Sequence, residues 1–178
     1  MVQLGTERVT LNDFIAALQG SAIQLPQTAT DKVAASHEFL KDFAGQKLIY
    51  GINTGFGPMA QYKINQKDIL QLQYNLIRSH SSGSGNIMTP QLAKAVMIAR
   101  LNSLLQGYSG VHPELTQLLA DMINKDVIAC IFEHGGVGAS GDLVQLAHLG
   151  LGLIGEGELW YEGSLQPAAE VFKKAGLT

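Results

Sequence analysis

The segment His134-Gly135-Gly136-Val137-Gly138-Ala139-Ser140-Gly141-Asp142-Leu143 decides how this chain is read. An apolar run over residues 127–132 leads into it, and a helical apolar pattern over 143–154 leads out. Residues 136–141 fit G-x-G-x-x-G, the dinucleotide fingerprint. That fingerprint needs a strand running directly into its first glycine, and here Glu133, His134 and Gly135 intervene. The nucleophile elbow G-x-S-x-G fails because Asp142 stands where its last glycine belongs. A third reading is chemical. Gly141 has no Cβ, so its backbone nitrogen can approach the Ala139 carbonyl closely. Attack there closes a five-membered ring over Ala139, Ser140 and Gly141. Loss of water from the ring and of the Ser140 hydroxyl leaves a conjugated, electron-poor methylidene. Asp142 stands next in sequence to assist proton transfers. On these residues alone, an ordinary glycine-rich strand-to-helix loop is the alternative.

Two segments upstream also carry chemistry. Leu48-Ile49-Tyr50 is a short strand-like run entering Gly51-Ile52-Asn53-Thr54-Gly55-Phe56-Gly57. Its three glycines suit close approach to a ligand, and it lacks the Gly-Lys-Ser/Thr ending of a phosphate loop. From the residues alone, Tyr50 is either a tyrosine packed at a strand end or a functional group. Residues 67–80 read as a helix, with Ile69, Leu70, Leu76 and Ile77 clustered by spacing and Gln73-Tyr74-Asn75 adding polarity beside them. Ser79-His80-Ser81-Ser82-Gly83-Ser84-Gly85 breaks that helix. His80 is placed either to hydrogen-bond a ligand's polar tip or to be satisfied by local backbone.

The rest of the chain reads as scaffold. Thr10 with Asp13 signals a helix start, with Leu11, Phe14, Ile15 and Leu18 on its apolar face and Gly20 at its end. Further helices are expected over 31–43, from Thr89-Pro90 to 106, from Pro113 to 124, over 143–154 and over 168–174. Residues 158–165 read as a small hairpin. His37, His112 and His148 read as structural. The expectation is a single domain over 1–178, mainly α with a small β component.

Composition bounds the function. Of 178 residues 46% are hydrophobic and 15% charged, which indicates a globular chain with a real core. A net charge of -3 without a basic stripe argues against nucleic acid as a partner. No segment is apolar for long enough to suggest a membrane partner, and the first residues lack a secretion signal. The lone Cys130 lies in an apolar run and reads as a buried thiol, compatible with a cytoplasmic location. No metal site is expected.

Gly138-Ala139-Ser140-Gly141-Asp142-Leu143 resembles the signature of the aromatic amino-acid ammonia-lyases and aminomutases, and the likeness extends in order from about residue 48 to the C-terminus. The resemblance implies the N-terminal part of a fumarase/aspartase-type helical fold. It implies that Ala139, Ser140 and Gly141 cyclise to a methylidene-imidazolone (MIO) group, with no exogenous cofactor. It carries the tyrosine base to Tyr50, and it places Ser79 and His80 where the family reads the substrate's aromatic end, in a histidine or tyrosine type. A tyrosine base must ionise well below its ordinary range, which requires donors, positive charge or a helix N-terminus nearby. The chain departs from the commoner pattern at Val144-Gln145, where many relatives have Ala-Pro, and at His134-Gly135-Gly136; this version resembles some tyrosine-type members. The implied partners are a small aromatic amino acid and, in a family of longer polypeptides, further subunits of a homotetramer and a C-terminal helical bundle. A 2,3-aminomutase and a catalytically silent assembly module are the two other expectations.

Overall fold

Helix α1 (Leu11–Leu18) opens on a complete capping box. The Thr10 hydroxyl accepts the Asp13 N–H at 3.2 Å and the Asp13 carboxylate accepts the Thr10 N–H at 2.9 Å. The structure, a computed structural model, describes residues 1–5, 8–137 and 143–178. Helix α2 (Gln27–Gln46) starts ahead of the expected residue 31. Tertiary packing decides that extra turn: Ala29 is fully buried, and a Cβ on Gly5 would come 2.8 Å from the Ala29 Cβ and 2.7 Å from the Leu105 Cβ.

Helix α3 (Gln66–His80) comes next, then α4 (Pro90–Leu104), where the Thr89 hydroxyl accepts the Leu92 N–H and proline fills the first position. Helix α4 ends two residues short of the expected 106. Helix α5 (Pro113–Asn124) is capped by His112, whose ring accepts the Glu114 N–H. Helices α6 (Leu143–Leu153) and α7 (Ala168–Ala175) complete the set, the last closed by Gly176 in the left-handed region at φ 60°.

The strands are short. β1 (Val2–Gln3) pairs in parallel with β2 (Ile23–Gln24). β3 (Ser84–Ile87) pairs antiparallel with β5 (Phe132–His134), in a register that slips between Ser84 and Ile87. β4 (Ile128–Ala129), β6 (Glu158–Tyr161) and β7 (Ser164–Pro167) form an antiparallel sheet, the last two being the expected hairpin. The apolar run before the glycine loop is therefore divided between two sheets. The 48–50 run is not a strand, and residues 84–87, the first two of them expected only to help break a helix, are one.

The core lies where α4 and α5 meet β4. Met97, Ile98, Leu101, Leu105, Leu119, Met122, Ile131 and Leu159 are fully buried there. Each such side chain contributes about 1.5–3 kcal/mol by leaving water. The outcome is a mainly α fold with a small β component. Cys130 and His148 are buried, as expected.

Candidate active site

Tyr50 is carried by a turn, and polar contacts shape that turn. Asn53 is 3% exposed and uses its whole amide. Its Oδ1 accepts the Ile49 N–H at 2.7 Å, and its Nδ2 donates to the Ala44 and Lys47 carbonyls at 2.8 and 2.7 Å. This explains the missing strand: a side chain takes the Ile49 backbone donor that a neighbouring strand would have needed. Buried Thr54 donates to the Gly55 carbonyl at 2.9 Å and forms an isolated bridge with Lys63. Gly55 is needed for close approach, since a Cβ there would lie 2.6 Å from the Met59 Cβ and 2.8 Å from the Met59 carbonyl oxygen. Gln73 of α3 donates to the Gly51 carbonyl at 3.1 Å and ties the loop to that helix.

On this support Tyr50 stands 63% exposed, its ring edge-on to Phe56 at 5.9 Å. The Gly57 N–H, at the start of a single 3-10 turn (Gly57–Met59), points to the phenol oxygen at 3.4 Å.

His80 is the last residue of α3. Its Nδ1 lies 2.9 Å from the Leu76 carbonyl oxygen, which only accepts, so Nδ1 carries the proton. The Ser79 hydroxyl donates to the same carbonyl at 3.1 Å and lies 3.1 Å from Nδ1. Ser79 therefore orients His80. In the neutral ring, Nε2 keeps its lone pair, and it meets no partner among the described residues. His80 is satisfied by local backbone on one side and open to a hydrogen-bond donor on the other.

Ala139, Ser140 and Gly141 lie outside the described residues, but both flanks of their loop are described. A Cβ on Gly135 would run into the Val144 side chain, so the end of β5 sits against the first turn of α6. The turn after His80 reaches the same place, with the Gly83 N–H donating to His148 of α6 at 3.1 Å. Helix α3 and the turn that follows it thus link two of the segments read from sequence, the Tyr50 loop through Gln73 and the flanks of the 139–141 loop through Gly83. No hydrogen bond or ring contact joins Tyr50 to His80 among the described residues.

Sequence reasoning missed Asn53, Gln73 and the contact of His148. In the sequence the first reads as loop polarity and the second as helix polarity. The signal available was an amide side chain beside glycines or apolar positions, where burial demands that it be satisfied. Among the described residues, no group of three or more His, Cys, Asp and Glu side chains could hold a metal ion.

The family model described as aromatic amino acid lyase matches residues 9–178. The chain belongs to the aromatic amino acid lyase family. A probable histidine ammonia-lyase of Thermoplasma acidophilum is 40% identical over 99% of the chain, which covers 36% of that relative. A tyrosine aminomutase structure from Streptomyces globisporus superposes with a TM-score of 0.91 at 32% identity, over 99% of this chain and 33% of that one. A histidine ammonia-lyase structure from Trypanosoma cruzi superposes with a TM-score of 0.89 at 32% identity, over 99% and 35%. This lyase-family chain thus spans about a third of the length of these relatives.

Proposed function

We propose that this chain carries the electrophile precursor, the base and the ring-reading residue of an aromatic amino-acid ammonia-lyase, with histidine as the first substrate to test. The observation that carries the reading is that α3 and the turn after it join the Tyr50 loop, His80 and the flanks of the 139–141 loop. Histidine comes first because the relative at 40% identity is a probable histidine ammonia-lyase.

The triplet fits an MIO group chemically. Ala139 brings the carbonyl, Ser140 the hydroxyl to be lost and Gly141 an unhindered nitrogen, and the packing of Gly135 on Val144 holds the loop's flanks together. When formed, the group supplies an electron-poor centre toward the substrate's amino group. The chain's own residues do the rest. Tyr50, with the Gly57 N–H on its oxygen, takes the β-proton. Asn53 and Gln73 hold the turn that presents it. His80 Nε2 accepts a hydrogen bond from the substrate ring, either an imidazole N–H or a phenol O–H. Ammonia leaves, and an α,β-unsaturated aryl acid remains. By family resemblance, the site is completed by further polypeptide and by neighbouring subunits of a cytoplasmic homotetramer.

Mass spectrometry of the peptide spanning Ala139, Ser140 and Gly141 tests the electrophile. Loss of two waters localised there is expected, and an unmodified peptide would overturn self-cyclisation in this chain. In a polypeptide of the relatives' length, Tyr50→Phe is expected to lower kcat by about 10²–10⁴-fold with little change in substrate affinity. The tyrosine aminomutase likeness favours a second reading, tyrosine as substrate with the amine returned to the β-carbon. Product analysis separates the two, because urocanate marks the first and a β-amino acid the second.

A further inference from the structure

His148 is 8% exposed, in α6. Its Nε2 accepts the Gly83 N–H at 3.1 Å, and its ring lies 5.2 Å from that of Phe132. A Cβ on Gly83 would come 2.8 Å from both His148 Nε2 and the Phe132 Cβ, so the absence of a side chain is what brings this turn onto the imidazole. Because a backbone N–H can only donate, Nε2 must present its lone pair, and the neutral ring carries its proton on Nδ1.

We propose that His148 is a positioning residue, a neutral imidazole that latches the turn at 80–83 onto the helix leaving the 139–141 loop, and that protonation of Nε2 releases the latch. The inference rests on the reading of His80 as the residue that meets the substrate ring, but the latch itself is measurable without substrate.

The surroundings favour the neutral form. Burial alone pushes His148 below the ordinary histidine value of 6.5. No charged or titratable side chain on the elements packed against α6 bonds the His148 ring among the described residues. On α3, Arg78 pairs with Glu156 and lies over the Tyr74 ring, His80 holds the Leu76 carbonyl, and Lys67 and Asp68 stand at the opposite end of the helix. On β5, Glu133 accepts from Asn86, and the His134 ring lies where a Cβ on Gly85 would fall. On α5, Glu114 lies beside His112 and Asp121 accepts from Gln117. Folding therefore favours unprotonated His148, and the latch is fully made above the ordinary histidine value. It is lost as the pH falls below that value, where the released form takes up a proton more readily.

The test is amide hydrogen exchange at Gly83 in the ¹⁵N-labelled chain, with His148 ring nitrogen shifts, from about pH 8 to about pH 5. The expected result is an Nδ1–H tautomer at the upper end. On acidification, exchange corrected for its intrinsic pH dependence should rise about tenfold, in step with His148 titration. His148→Leu should exchange fast throughout. His148→Gln, whose amide oxygen can accept the same N–H, should exchange slowly throughout. A Gly83 amide equally protected across the range, or still protected in His148→Leu, overturns the latch. If His148→Leu does not fold, the wild-type titration and His148→Gln decide alone. His80→Ala separates the two readings. It should leave the Gly83 profile unchanged, so an intact latch with no effect of His80→Ala on substrate affinity in the longer polypeptide would sink only the substrate reading.

Discussion

The α4–α5 core and the segment from α2 to α3 are built on different physics. In the core, Met97, Ile98, Leu101, Leu119 and Met122 are all fully buried and hold one another by packing. In the other segment, Phe39, Leu48, Tyr50, Met59, Tyr62 and Leu70 are each more than half exposed, and order comes from the Asn53 amide, the Thr54 hydroxyl and the Gln73 link. Packing energy is spread over many contacts, whereas the hydrogen-bonded turn depends on a few. The scaffold should therefore unfold as a unit, and the turn that carries Tyr50 should be able to fail on its own.

That contrast can be broken most severely by Leu101→Ala. Its expected cost is about 2–5 kcal/mol of global stability, read as a lower denaturation midpoint by every probe. Asn53→Ala is expected to cost about 1–3 kcal/mol, confined to the turn. Limited proteolysis should then cut near residues 48–60 while the global midpoint barely moves. A midpoint drop equal to that of Leu101→Ala would erase the distinction. Thr10→Ala should cost about 1 kcal/mol through loss of the α1 cap, visible in thermal melts.

The smallest effect expected is from Glu156→Gln, which removes an exposed ion pair with Arg78 and should leave the midpoint unchanged within error at moderate salt. Acid titration sharpens the same point. The Thr10 hydroxyl holds the Asp13 carboxyl below the usual range, and the Arg78 guanidinium does the same for Glu156. Stability from both is present above the ordinary carboxylate values and lost as the pH falls through the lowered ones. A pH–stability curve should show a shallow acid limb that is unchanged within error in Glu156→Gln.

The sequence was legible where local chemistry decides. Thr10, Thr89-Pro90 and Pro113 announce their helices, and Gly176 closes the last one, because caps and fixed φ act within a turn of themselves. It was illegible where a distant partner decides. β1 and β2 are two residues each and are set by pairing with each other and by Asn124, which bonds both backbone groups of Ile23. Residues 84–87 become a strand because 132–134 lie beside them. Helix α2 gains its first turn because Ala29 fills space against Gly5 and Leu105. At the site, the order of the motifs was visible, but the proton position on His80 was not. It is set by one carbonyl, that of Leu76, which no spacing rule reveals.

Gly135 and Val144, described residues on either side of the 139–141 triplet, meet each other. The ends of the loop are pinned there, so span and anchorage become separable properties. Inserting a residue at 137 lengthens the span without parting the pins, at little cost in closure entropy. Gly135→Val parts the pins without changing the span. If the self-cyclisation proposed above is a matter of reach, the insertion should abolish it. If it is a matter of tension transmitted from β5 to α6, the substitution should abolish it instead.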